Sequence, residues 1–167
     1  LGNLTLHQAR LIPDSTIYKQ QVEAKKAPNN RFHIQLEALR VKNFSIRDVL
    51  MNKKLDIGLI EFEEPSIHLI SEYHTYNDTI PSDTSKSLYE HVKDVFKSIN
   101  VRDVHMDNIK FKYTKVAEGN SSELNLEKVN INVKDILVDE TSLSDSLRFF
   151  YTKMIEVNVP GFEYDLP

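Results

Sequence analysis

The chain has 167 residues, of which 40% are hydrophobic and 28% charged, and a formal net charge of -4 at pH 7. That length and composition fit one folded domain with a sizeable core, and the mild acidity gives no reason to expect a nucleic-acid partner, which needs a basic stripe. The absence of cysteine excludes a disulfide scaffold, a thiol nucleophile and cysteine-ligated zinc or iron–sulfur sites.

Read from the N-terminus, one spacing keeps returning. With Φ for an apolar residue it is Φ-x-Φ-x-x-Φ-x-Φ. A weak copy opens the chain at Leu4, Leu6, Ala9 and Leu11. Residues 24–31, with Pro28, Asn29 and Asn30, predict a turn. A strong copy follows at Ile34, Leu36, Leu39, Val41 and Phe44, and then a short helical turn from Ile46 to Met51. The next copy is Leu55, Ile57, Ile60 and Phe62, running on into Pro65, Ile67 and Leu69. A polar linker, residues 73–85, then separates two pseudo-halves, 1–76 and 84–167, so the chain reads as internally repetitive.

One amphipathic helix is predicted over about residues 84–98. Leu88, Val92, Val95, Phe96 and Ile99 make a single apolar stripe at helical spacing. Ser87 and Glu90 have the spacing of a capping box. The third copy is Ile99, Val101, Val104, Met106, Ile109, Phe111 and Tyr113. Residues 117–123 predict a turn, and the fourth copy is Leu124, Leu126, Val129, Ile131 and Val133. A second short helical turn is expected from Ser142 to Phe150, before a last weak copy at Val157, Val159, Phe162 and Tyr164.

Alternation with period 2 marks a half-buried strand. The two-residue step reverses parity, so a flat strand would throw successive apolar groups onto opposite faces. A bulge or sharp bend at each step is therefore required. The fold class that follows is mainly β with minor α: a long, curved, bulged antiparallel sheet with one amphipathic helix. Seven to nine strands each present an apolar face, and a helix of about 22 Å covers only part of them. The rest either folds over as core or stays open as a groove, which usually marks an interaction site. The residues expected on that face are Leu36, Leu39, Val41, Phe44, Ile57, Ile60, Phe62, Ile67, Leu69, Val101, Val104, Met106, Ile109, Phe111, Val129 and Ile131.

Chemistry-bearing motifs are missing. The six histidines form no metal-spaced pair, and His68 and His105 fall at solvent-facing positions. Glu61 and Glu63 share the parity opposite to Phe62, as a solvated outer face would. No nucleophile elbow and no phosphate-cradling glycine loop occurs. No catalytic residue, metal ligand or cofactor is assigned, and the chain is expected not to be an enzyme. It begins at Leu1 and ends at Pro167 beyond an expected strand, so it reads as a piece of a longer protein. No run approaches the roughly 20 apolar residues of a membrane-spanning helix.

The segment from Ile34 to Leu69 resembles the AsmA-like family of Gram-negative envelope proteins. The resemblance lies in the step Val41-Lys42-Asn43-Phe44, the short turn Asp48 to Lys54, and the strand ending Glu63-Glu64-Pro65-Ser66-Ile67-His68-Leu69. The run from Ser98 to Tyr113 fits too. The resemblance implies a non-enzymatic periplasmic segment, anchored in the inner membrane through a part of the protein outside this chain. It implies lipid handling or outer-membrane biogenesis, with phospholipid or another acyl-chain lipid, and envelope proteins, as partners. The alternative is a β-rich scaffold that binds protein or glycan, with Tyr73 and Tyr76 as its candidate loop aromatics.

Overall fold

The computed structural model describes residues 1–79, 87–117, 120–142 and 144–161. Seven strands form one sheet: β1 (Gly2–Leu11), β2 (Asn30–Phe44), β3 (Lys54–Glu63), β4 (Ser66–Glu72), β5 (Ser98–Ala117), β6 (Asn120–Val138) and β7 (Met154–Asn158). β3 and β4 are two halves of one long strand, broken at Glu64–Pro65. Both lie between β2 and β5, so the order across the sheet is β1-β2-β3/β4-β5-β6-β7. Pro65 suits the break, because proline has no N–H for the ladder.

The sheet is mixed, where the spacing predicts an antiparallel one. Each half of the chain supplies an antiparallel meander, β1-β2-β3/β4 and β5-β6-β7. The seam between them, β3/β4 against β5, is parallel. The reason is the connection: residues 73–97 return the chain to the starting end of the sheet, and a crossover of that length joins parallel strands. The β5–β6 connection is the hairpin that residues 117–123 predict, with Ala117 opposite Asn120.

Among the described residues, three short α-helices stand at the sheet ends. α1 (Ser15–Glu23) has no sequence stripe to announce it. Asp14 caps it, accepting from the Thr16 and Ile17 amides at 2.8 and 3.0 Å. α2 (Ile46–Asn52) lies where a helical turn is predicted, capped by Ser45. α3 (Leu88–Val92) is much shorter than the helix predicted over 84–98, of which residues 84–86 lie outside the described residues. Its capping box forms: Ser87 Oγ accepts from the Glu90 amide at 3.2 Å, and the Ser87 amide donates to Glu90 Oε2 at 2.7 Å. Beyond Val92 the stripe fails because sheet pairing wins. The Lys97 amide donates to the Lys53 carbonyl at 2.7 Å, and Ile99 already stands opposite Leu55. The described residues from Ser142 to Phe150 form turns rather than a helix, closing on a bridge between Phe149 and Thr152. At the C-terminus Val157 lies in β7, whereas Phe162 and Tyr164 lie outside the described residues.

The parity-reversing steps take the form that the sequence requires. At six of them the second residue is left-handed: Gln8, Asn43, Glu64, Asn108, Lys128 and Asp135, with φ between 45 and 59°. A left-handed residue re-aims the strand; the β5–β6 ladder also shifts register beside Asn108 and Lys128, as a bulge does. The steps also align from strand to strand. Asn43, Gly58, Arg102 and Asp135 stand in register as one crease across the sheet. Gln8, Glu37, Glu64 and Asn108 make a second, and Lys128 marks a register shift of β6 two residues further along. The first crease thus crosses β2, β3, β5 and β6 at one level.

Candidate functional site

Ladder register decides what the creases achieve. Leu39 faces Phe62, which faces Met106, which faces Ile131. Val41, Ile60, Val104 and Val133 form a second such row, and Ile67, Phe111 and Leu126 a third. Apolar residues meet apolar residues on both sides of each crease. Leu39, Phe62, Met106, Ile131, Val41, Ile60, Val104, Ile67 and Phe111, all expected on the apolar face, stand in these rows. Of the residues expected on that face, Val101, Val104, Ile109 and Val129 are buried. The other twelve, Leu36, Leu39, Val41, Phe44, Ile57, Ile60, Phe62, Ile67, Leu69, Met106, Phe111 and Ile131, are half-buried.

No second layer covers this face among the described elements. Extended contacts run only between neighbouring strands and between α2 and β3. Toward the edges the same face is open: Leu4 and Leu6 on β1 are 47% and 46% exposed, and Val157 on β7 is 58% exposed. The total accessible surface is 12230 Å². A compact monomer of 19.4 kDa exposes about 8,500 Å². The difference, roughly 3,700 Å², is several times the surface that one partner buries in a standard interface. A single layer of sheet exposes more surface than a compact globule of the same mass.

Such a face can hold an apolar chain without any directional contact. An acyl chain of about 16 carbons is worth about 12 kcal/mol if fully buried, at ~0.8 kcal/mol per methylene. Lying in an open trough buries about half of it, leaving about 6 kcal/mol from which ordering costs are drawn.

The opposite face is polar and paired. Arg40 bridges Glu63 and Lys42 bridges Glu61, each at 2.5 Å, and Lys112 bridges Glu123 at 2.8 Å. The outer-face reading of the glutamates agrees with these pairs. His68 and His105 stand on this face but are half-buried rather than open to solvent. His68 Nε2 lies 2.8 Å from Thr114 Oγ1, and its ring faces that of His33 across the β2–β4 ladder. Burial, followed by the charges of Lys112 and His33, holds the His68 imidazole below its ordinary pKa. Period-2 alternation gives the face of His68 but not its cover.

A second polar cluster closes one end of the sheet. The Tyr18 hydroxyl of α1 donates to Glu72 at 2.9 Å and lies 3.0 Å from His74 Nε2. Arg31 bonds the same Glu72 oxygen at 2.9 Å and stacks on the Tyr18 ring at 3.8 Å. Burial and the Glu72 bond push the Tyr18 phenol up to about 12. Tyr76 stacks on His74, so of the two candidate loop aromatics only Tyr73 is exposed. The cluster ties α1 and residues 72–77 to the sheet; its groups serve one another. Among the described residues no set of three or more His, Asp or Glu side chains is placed to hold a metal ion, and no helix is long and apolar enough to cross a membrane.

The sequence reading misses Phe149 and Phe150, two exposed aromatics in the β6–β7 connection. The available signal is their adjacency, an apolar pair outside every copy of the strand pattern. No protein-family model matches this chain, and no curated protein matches its sequence.

Proposed function

We propose that this chain is a non-enzymatic lipid-handling segment of an envelope protein, holding acyl chains along the open apolar face. The carrying observation is the run of apolar rows across neighbouring strands with no described element over them. The alignment of these apolar rows from strand to strand adds support. The resemblance of Ile34 to Leu69 to AsmA-like proteins favours a periplasmic setting and an inner-membrane anchor elsewhere in the protein. The polar outer face, with its ion pairs, suits an aqueous compartment.

Native mass spectrometry after gentle extraction tests the reading. The chain is expected to carry a phospholipid-mass adduct, and Phe62→Asp or Met106→Asp is expected to remove it. An adduct-free wild-type chain that also takes up no acyl-chain probe in solution would overturn the proposal. The alternative, a scaffold that binds protein or glycan through the open edges β1 and β7, predicts partner binding that survives Phe62→Asp.

A further inference from the structure

Two histidines face each other across the middle of the β2–β4 ladder. His33 stands opposite His68, with ring centroids 5.8 Å apart, and both are half-buried on the polar face. On its other side His68 stands opposite Lys112 of β5, and its Nε2 lies 2.8 Å from Oγ1 of the buried Thr114. Lys112 bridges Glu123 of β6 at 2.8 Å. One row of titratable groups therefore crosses four strands: His33, His68, Lys112 and Glu123. Its carboxylate is already bonded to Lys112.

The charges around this row are matched among themselves. Arg31, two residues from His33, is held by Glu72 at 2.9 Å, with Tyr18 donating to Glu72 and His74 beside Tyr18. Arg10 and Lys110 share a polar pocket with Glu37 and Glu64 at the second crease. Glu37 and Glu64 stand four residues from the histidines, about 13 Å along a strand. Acid therefore adds two cations beside Lys112 with only Glu123 to answer them. His105, by contrast, stands opposite Glu61, where a proton adds a cation facing a carboxylate.

β4 is the element on which this imbalance acts. It has seven residues. Pro65 and the left-handed Glu64, φ 45°, part it from β3, so it pairs with β2 and β5 as a strand of its own. Its far end is tied down by Glu72, whose amide donates to the Asn29 carbonyl at 2.8 Å. The histidine pair lies between the break and the tie. Burial, then Lys112 and His33, oppose a proton on His68, while Glu123 favours one. A state with β4 parted from β2 returns this imidazole to water and to its ordinary pKa of 6.5. That state binds the proton more readily, so falling pH populates it.

We infer that the His33–His68 pair is an acid-sensitive latch, holding β4 on β2 at neutral pH and releasing it as the rings take up protons. At 5.8 Å the rings lie within the Debye length of physiological salt, about 8 Å, so their charges act on one another. Ile67 and Leu69 flank His68 and pair with Ile34 and Phe32 on one side and with Phe111 and Tyr113 on the other. Release of β4 therefore breaks the third apolar row at Ile67, whatever occupies that face.

Amide hydrogen exchange of the whole chain, read by mass spectrometry at about pH 7.5 and about pH 5 and corrected for intrinsic rates, tests the latch. Peptides covering residues 30–35 and 66–72 are expected to exchange at least about tenfold faster at the lower pH, the factor that one pK unit of proton linkage supplies. Peptides covering residues 54–62 and 127–138 are expected to hold their rates. His68→Gln, which keeps a hydrogen-bonding side chain without the charge, is expected to abolish the acid response and His33→Gln to weaken it. His105→Gln is expected to leave it intact, and circular dichroism at neutral pH checks that each variant is folded. Nuclear magnetic resonance of the wild-type chain gives a second readout: the amide shifts of residues 66–72 are expected to move with the midpoint of the His68 ring. Equal corrected rates at the two pH values, a rise spread evenly over the sheet, a response undiminished by His33→Gln, or β4 amides that move at a different midpoint from His68 would each sink the latch.

Discussion

Gly58 sits in the first crease, opposite Asn43, and a methyl group there has nowhere to go. A Cβ built on Gly58 falls 2.8 Å from Asn43 Cβ and 3.2 Å from its Nδ2. Cβ is fixed to the backbone, so the clash cannot be relieved by a rotamer change. Asn43 itself is left-handed at φ 59°, and its amide is held by Asn3 Oδ1 at 3.0 Å. Overpacking of this kind costs about 1–3 kcal/mol, so Gly58→Ala is expected to lower the unfolding midpoint by about 2–4 °C per kcal/mol. Asn43→Gly removes the clashing atom, keeps the amide bond and suits the left-handed backbone. Its own effect is expected to stay within about 1 kcal/mol, with relieved strain offset by unfolded-state entropy. In that background Gly58→Ala should cost almost nothing, giving a coupling energy that recovers most of the single-mutant loss. Equilibrium urea unfolding of the four proteins measures the cycle. A Gly58→Ala chain as stable as wild type, or an equal loss in the Asn43→Gly background, would refute the crease packing.

On the apolar face, Phe62→Asp is expected to keep the far-ultraviolet circular dichroism of the sheet while abolishing uptake of an acyl-chain fluorophore; loss of the fold would show Phe62 to be core instead. His68 is held neutral in the folded state, so its contribution to stability is complete above the unfolded pKa of 6.5 and is lost as pH falls from there through the lower folded value. His68→Gln should flatten the stability–pH curve in that window, read by urea midpoints at successive pH values. Tyr18 has the opposite sense: with its phenol raised to about 12 from 10.0, stability is full below pH 10 and falls as pH rises toward 12. Spectrophotometric titration at 295 nm should show a tyrosine component near pH 12 that is lost in Tyr18→Phe. That exchange also removes the bonds to Glu72 and His74 and should cost about 1–2 kcal/mol in thermal unfolding.

Much of the fold is legible because the strand pattern carries its own geometry. Two spacer residues between apolar pairs demand a parity reversal, and the left-handed Gln8, Asn43, Glu64, Asn108, Lys128 and Asp135 supply it. The capping box at Ser87 and Glu90 is local chemistry and reads directly. Failures come where distant pairing overrides local period. Val95, Phe96 and Ile99 fit a helical stripe, but Ile99 pairs with Leu55 and Val138, and a strand needs those partners more than a helix needs a fourth turn. α1 is silent because its sequence carries no apolar stripe at helical spacing; its cap is Asp14, with no capping box to announce it.

The sequence by itself determined the apolar set, its strand spacing and its bends, because each is a relation between residues a few positions apart. Only the tertiary structure decided that β3/β4 and β5 run parallel, that the steps of separate strands line up into two creases, and that the rows stay apolar from Leu39 to Ile131. Those are relations between ladder partners 15 to 44 positions apart, fixed by register. It also decided that no described element lies over the apolar face. Whether a surface is covered depends on where the rest of the chain goes, and no local pattern records that.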